Sequence, residues 1–444
     1  MANTYLHRTP SSTTNRRTWT WSAWIKRSSL TNASNGHTLW ETEGANGGDN
    51  FIFQIKGSND TVHLHTYGND VFTTTRKLRD TNGWYHIVLA IDTTQATATN
   101  RIKLYINGEL QTITQATNYP AKDFEFGINK NHKHCIGSHG NNANYYFDGL
   151  MSHIHFADGT QYDASVFGET DATTGEWKIK TAPSFTLGTN GFTVLKDGNT
   201  VTDQSDNSND FAISGTLTKT EDCPDNVLNT FSPLYRGTGS GSYSLSNGNT
   251  TFLNNASSPW ANAFTSIGNS TGKFYTEFLH YTGTHSIFGI INSETIRQDK
   301  GTNDAIGSTA IGQPAASYYG NSGQSMINGT QASFGSAIAS GDYVGMAVDL
   351  TNSKIYFSKN GVWQGSGDPS TGSNGLTITG DTTYVVGVGG YGSGGIKANF
   401  GNGSFGTTQL TGTTYSPTVG DTSAIFKYAV PTGYTALSTN GLNL

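Results

Sequence analysis

From Tyr85 to Leu110 the chain reads YHIVLAIDTTQATATNRIKLYINGEL. Apolar residues occupy every second position: Ile87, Leu89 and Ile91 going out, Ile102, Leu104 and Ile106 coming back. A two-residue period is that of a β-strand with one face buried. Asn107-Gly108 follows, the dipeptide best suited to a type I′ turn because both central positions need positive φ. Asp342 to Gly365, DYVGMAVDLTNSKIYFSKNGVWQG, repeats the design with Val344, Met346 and Val348 answered by Ile355 and Phe357, then Asn360-Gly361. An Asp ends the first strand each time (Asp92, Asp349), placed to accept backbone N–H groups of the following turn. The repeat predicts one hairpin used twice, once in each of two similar sandwiches. It marks architecture before chemistry.

The rest of the chain agrees with this class. At 444 residues it is too long for one core, and length alone predicts about three domains. Only 13% of residues are charged, there are 55 Gly, and aromatics reach 11%. Strong helix formers are scarce, while β-branched and aromatic residues abound, which favours an all-β protein. A further alternating run occurs at TWTWSAWIKRS (from Thr18), and strands are expected at NFIFQIKGSNDTVHLHTYG (from Asn50), KFYTEFLHY, HSIFGIIN and TYVVGVGGYG. Short strands with Gly/Asn turns imply sandwiches. The expected organisation is a jelly-roll sandwich over residues 1–165, a connector with short strands over 166–235, a second sandwich over 236–405 and a C-terminal extension over 406–444.

Several function classes are disfavoured. Net charge is −6, and the basic runs are only NRR (Asn15 to Arg17) and RKLR (Arg76 to Arg79), so a nucleic-acid partner is not expected. No stretch of 18 apolar residues exists, so no membrane insertion is expected. The opening MANTYLHRTPSSTTNRR lacks an apolar h-region, which predicts synthesis in the cytoplasm without a secretory signal. Cys135 and Cys223 are isolated, with no zinc spacing, and a disulfide between them is not expected.

The residues also carry a resemblance. RTPSSTTNRRTWTWSAWIKRSSL, NGWYHIVLAID, IKLYINGEL and FDGLMSHIHFADG resemble the laminin-G-like branch of the concanavalin A-like jelly rolls, as found in tailed-phage structural proteins, especially of marine phages. GDYVGMAVDLTNSKIYFSKNG and IKANFG resemble the central hairpin and closing strand of SPRY domains. The connector segments VTDQSDNSNDFAISGT and DCPDNVLNTFSPL and the tail VPTGYTALSTNGL are similar to pieces that join and follow such domains in phage proteins. The resemblance implies a fold of two concanavalin A-like sandwiches in series. It implies a binding scaffold for glycans or protein loops, though a fold does not fix a ligand.

Candidate sites follow from chemistry. Glycan hydrolases on such jelly rolls place carboxylates on alternate positions of one strand, putting acid and nucleophile on one face. Glu41 and Glu43 in WETEG, and Asp123 and Glu125 in KDFEFG, have that spacing. Neither pair has the third acid or the apolar flanks that raise a carboxyl pKa, so both read as solvated strand-edge acids. His132, His134 and His139 gather near Cys135, but Lys130 and Lys133 oppose a cation, so this reads as an exposed polar loop. Asp203, Asp206 and Asp210, with Asp197 and Asn209, are weak calcium candidates in a turn-rich segment lacking EF-hand spacing. For glycan or protein binding, the candidates are Tyr318, Tyr319, Asn321 and Gln324 in one loop context, Trp363 after the second Asn-Gly turn, and Asn144, Tyr145 and Tyr146. Aromatic platforms with planar amides suit sugars, and Tyr and Asn also suit protein surfaces.

The expected function is that of a virion structural protein, a tail fibre or adhesin that binds a host-surface glycan or protein through sandwich loops, with no catalysis and no cofactor. Other virion proteins would be partners, with a homo-oligomer, a trimer if a fibre. The alternatives are a capsid decoration or connector protein and, further off, a glycan depolymerase.

Overall fold

In this computed structural model the described residues are 3–30, 36–44, 49–66, 69–114, 119–140, 145–196, 198, 200–234, 243–296 and 305–442. The fold is all-β, and the chain divides into two compact units, 1–217 and 218–444.

Among the described residues, the first unit has two main sheets, of eight and six strands. The eight-stranded sheet runs Ile113–Thr114, Asn69–Lys77, Thr61–Thr66, Phe51–Ile55, His37–Thr42, His134–Ile136, Tyr5–Arg8, Ala212–Ser214. The six-stranded sheet runs Phe192–Val194, Gly149–Asp158, Thr18–Arg27, Tyr85–Asp92, Ile102–Ile106, Glu109–Leu110. Trp19, Trp21, Ala23 and Ile25 meet Trp40, Phe51, Phe53 and Leu64 in a core where Trp21 stacks on Trp40 at 6.2 Å.

The hairpin register is as the alternation predicts: Ile87 faces Ile106, Leu89 faces Leu104, and Ile91 faces Ile102. Asn107 and Gly108 adopt φ of 49° and 80°. Asp92 Oδ1 accepts from Thr94 N at 3.0 Å, the turn role expected of it.

The second unit repeats this logic. Its nine-stranded sheet holds Lys273–Thr282, Tyr343–Asp349 and Lys354–Lys359 side by side, and its six-stranded sheet runs Ala261–Asn269, Tyr384–Tyr391, His285–Asn292, Ala315–Tyr319, Gln324–Ile327, Thr330–Ser333. Met346 faces Phe357 and Val348 faces Ile355. Asn360 and Gly361 adopt φ of 48° and 82°, and Asp349 Oδ1 accepts from Asn352 N at 2.9 Å.

In each unit a later segment covers the outside of the hairpin-bearing sheet. In the first, Phe167, Trp177 and Phe185 pack over Val88 and Tyr105. The Trp177 indole N–H donates to His86 Nδ1 at 3.0 Å, leaving Nε2–H to donate to Ser22 Oγ at 2.9 Å. In the second, Phe426, Tyr434 and Ala436 pack on Tyr275, Ala347 and Tyr356, and Thr435–Ala436 joins Lys273–Thr282 as a parallel strand.

The stretch read as a connector, 166–235, is divided between the units. Phe192–Val194 and Ala212–Ser214 supply edge strands to the two sheets of the first unit, and residues from Thr218 cluster with the second. The edges of the first sandwich have open N–H and C=O groups, and these strands pair with them. Among the described residues, no helix is long and apolar enough to cross a membrane.

Candidate functional site

Covering one outer face of each unit directs attention to the other. In the second unit this is the outside of the six-stranded sheet. Cross-strand pairing puts His285 opposite Tyr391, and Trp260 immediately precedes Ala261, which pairs with Gly390. Residues that pair across strands share a face. Tyr319 arrives on the strand next to that of His285, opposite Ile287. The four rings converge: Trp260 lies 5.6 Å from Tyr319 and 5.8 Å from Tyr391, and His285 lies 5.4 Å from Tyr391 and 6.5 Å from Tyr319. Trp260 is nearly buried, while His285, Tyr319 and Tyr391 are half-exposed. Ile287, Ile291, Ile306 and Ile311 form an apolar floor beside them. Burial, together with the nearby Tyr391, raises the Tyr319 phenol pKa, so the ring stays neutral. The result is an aromatic patch with wet edges, able to take the apolar face of a sugar or a side chain of another protein.

The sequence candidates divide around this patch. Tyr319 belongs to it. Tyr318, one residue away on the same strand, points the other way and is a core residue rather than a ligand contact: it is fully buried against Phe334 and Phe357, and its hydroxyl donates to the Ser336 carbonyl. The segment is a strand where a loop was expected, and strand alternation separates the two tyrosines. Asn321 is exposed in the turn that follows, and Gln324 is half-buried with Oε1 accepting from Ser322 Oγ at 2.8 Å. Trp363 follows its turn as expected but leans on Tyr275 at 6.4 Å, under the C-terminal segment and on the opposite sheet. In the first unit, Tyr145 lies 5.6 Å from His139, and Tyr146 lies 6.3 Å from Tyr5. Asn144 lies outside the described residues. Asp203 is buried, accepting from Thr193 N and Ser205 N on one oxygen and from Asn209 N on the other. Asp210 caps Asp203 N, and Asp206 is exposed. These are turn-forming contacts.

The outer face of the first unit's eight-stranded sheet carries titratable groups in a row, His7, Cys135, Glu41 and, beyond Ile52, His65, matched strand to strand. Here the structure corrects two expectations. Glu41 is not a solvated edge acid. It is fully buried, with Gly140 N donating to Oε2 at 2.6 Å and His139 Nδ1 3.5 Å from Oε1. Burial pushes its carboxyl pKa up to about 8, against the pull of the Gly140 N–H. The His-Cys run is not an exposed loop either. His134 and Cys135 lie buried on a strand, with burial lowering the imidazole pKa to about 4 and pushing the thiol up to about 12. Both cysteines are free. Glu43, Glu41's same-face neighbour, is paired with Lys133 at 2.9 Å, and Glu125 with Arg16 and Arg17. Glu41 holds its proton near neutrality, as a general acid must, but sugar cleavage also needs a second carboxyl roughly 5–9 Å away across an open cleft. The Ser138–Gly140 turn closes over Glu41 instead.

Comparison with known proteins agrees with the first unit's layers. The family model described as the Concanavalin A-like lectin/glucanases superfamily matches residues 2–166. No curated protein matches the chain. Solved structures that it resembles include the SPRY domain of human HERC1, at 17% identity over 38% of this chain and 96% of that one, with a TM-score of 0.28. The PSpry domain of TRIM65 is 15% identical over 38% and 89%, with a TM-score of 0.29. Stonustoxin is 14% identical over 56% of this chain and 33% of that one, with a TM-score of 0.28. A role in recognising carbohydrate or protein fits the concanavalin A-like match of the first unit.

Proposed function

We propose that this chain is a structural protein of a tailed-phage particle, a tail fibre or adhesin that holds a host-surface glycan or protein without catalysis. The observation that carries the recognition reading is the aromatic patch of Trp260, His285, Tyr319 and Tyr391. Large half-exposed rings on a rigid sheet give contact area at low entropic cost. A single patch of this size binds weakly, and linked copies, as in a trimeric fibre, raise avidity by orders of magnitude. The particle assignment is supported by the resemblance of both sandwiches and their joining segments to phage proteins, and by a Thr/Asn/Gly-rich surface of low charge.

The test uses Tyr319→Ala and Tyr391→Ala, since both rings are half-exposed and their loss spares the main core. Binding of the purified chain to host cells and to an array of envelope glycans should fall about tenfold or more at unchanged melting temperature. Unchanged binding in both variants removes the patch from the reading. Cryo-microscopy of the particle separates the partners: density on the capsid lattice makes the chain a decoration protein, and density projecting from the tail makes it an adhesin. Reducing-end release from envelope glycan, lost in Glu41→Gln, would instead make it a depolymerase.

A further inference from the structure

The first unit holds a second cluster that the recognition reading does not use. His63 and His65 stand two apart on strand Thr61–Thr66, so their side chains share the outer face of the eight-stranded sheet. The neighbouring strand, Asn69–Lys77, does not run opposite them in simple register. Leu64 pairs with Phe72 and His65 pairs with Asp70, so Val71 is an extra residue. This bulge draws Asp70 toward both imidazoles, where regular pairing would have set Val71 opposite His65. Bulges of this kind re-aim side chains and are common beside functional sites.

The resulting geometry is compact. Asp70 Oδ1 lies 2.9 Å from His63 Nε2 and 3.0 Å from His65 Nδ1, and all three donor atoms fall within 4.8 Å of one another. The His63 side chain is only 4% exposed, yet its Nε2 makes no hydrogen bond of acceptable angle. His65 and Asp70, at 30% and 34%, leave the other side open to solvent. Two ligands at zinc distances and a tetrahedral angle are about 3.3 Å apart, so the two His–Asp separations are within a few tenths of an ångström of what an ion needs, and the two ring nitrogens, within 4.8 Å of each other, would close on it. Behind His63, the Gln54 amide nitrogen lies 3.2 Å from Nδ1, which places the neutral ring's proton on Nε2 facing Asp70, so an ion would displace that proton and the amide would turn over. Turned with its oxygen toward Nδ1–H, that amide fixes the tautomer that offers the Nε2 lone pair outward, as supporting residues of metal sites do.

We infer that His63, His65 and Asp70 bind a first-row divalent metal ion of the zinc class, with water or a ligand group in the fourth position. Two imidazoles and one carboxylate suit zinc, cobalt or nickel and not calcium or magnesium, which prefer all-oxygen shells. Lys56 Nζ, 3.7 Å from Asp70 Oδ2, is the one nearby cation recorded among the described residues, and the ion would have to displace it. An ion here would add a polar anchor to the outer face of the first sandwich, independent of the aromatic patch on the second unit.

The experiment takes the full chain, untagged and stripped with chelator, and titrates it with zinc and with cobalt alone. The expected result is one zinc per chain by calorimetry, a cobalt complex with the intense visible bands of a four-coordinate site, and a melting temperature raised by zinc. His65→Ala and Asp70→Asn should each weaken zinc about tenfold or more and abolish the cobalt bands, while His132→Ala leaves both unchanged. If either variant fails to fold, the wild-type cobalt spectrum still decides. No binding, a six-coordinate cobalt spectrum, or zinc binding indifferent to both substitutions would mean an adventitious ion only and would overturn the site.

Discussion

Two buried glutamates show how one side-chain type is set by what surrounds it. Glu41 has one strong donor, the Gly140 N–H, and burial wins, taking its pKa from the ordinary 4.5 to about 8. The folded state therefore keeps a proton that the unfolded chain releases. Stability from this group is complete below pH 4.5 and is lost as pH rises toward 8, at about 1.4 kcal/mol per pH unit. Glu41→Gln still accepts from Gly140 N and has no charge to bury. It should melt like wild type at pH 5 and several degrees higher at pH 8.5, and a variant that melts lower at both would show that the carboxylate is needed. Glu277 is different. Burial again raises it, to about 7, but Tyr428 N at 2.7 Å, Lys427 N at 2.8 Å, Asn399 Nδ2 and the Tyr275 hydroxyl all donate to it. An amide turns one acceptor into a donor facing donors. Glu277→Gln should lower the melting temperature at every pH, by about 1–3 kcal/mol for each donor left unpaired, and loosen the C-terminal segment that these bonds hold. A pH-dependent gain like that of Glu41→Gln would contradict this. The residue-scale environment was invisible in WETEG, because burial of Glu41 comes from Gly140, 99 residues away.

At the scale of the element, the twice-used hairpin answers to one constraint. Its Asn-Gly turn is wrapped by an aromatic ring in both units. A Cβ on Gly108 would lie 2.4 Å from the Trp177 ring, and one on Gly361 would lie 2.7 Å from the Tyr428 ring. Each glycine thus serves a positive φ and a close approach together. Gly175 supplies a control, with φ of 76° and nothing within 4 Å. Gly175→Ala should cost the backbone term alone, about 1–2 kcal/mol. Gly108→Ala should cost clearly more by denaturant titration, and equal costs would mean that the Trp177 contact carries no energy. The turn, the strand register and the role of Asp92 and Asp349 were all legible in the sequence, because period-2 alternation and Asn-Gly are local signals. The covering rings were not, since Trp177 and Tyr428 reach their glycines through tertiary packing.

For the whole molecule, each unit buries its own core, Leu6 to Phe211 in the first and Phe231 to Leu437 in the second. Chains cut between Leu217 and Thr218, where the compact units divide, should each fold with a β-type circular dichroism spectrum and a cooperative melt. Cutting at 165 instead removes the edge strands Phe192–Val194 and Ala212–Ser214 and should leave an aggregation-prone first half. If the 1–165 fragment is the better behaved of the two, the 166–217 segment is dispensable.

What the sequence determined by itself was everything that depends on neighbours along the chain: the all-β class, two sandwiches, the faces of the hairpin strands and the turns that join them. The sites depended on neighbours across strands. Tyr318 and Tyr319 look equivalent in sequence, and alternation sends one into the core and the other to the patch. Trp260, His285 and Tyr391 lie at separate strand ends whose pairing no local signal announces, and a single bulge at Val71 brings Asp70 to His63 and His65. Register is fixed by how two faces bury each other, and that is a property of the folded sheets rather than of any one segment.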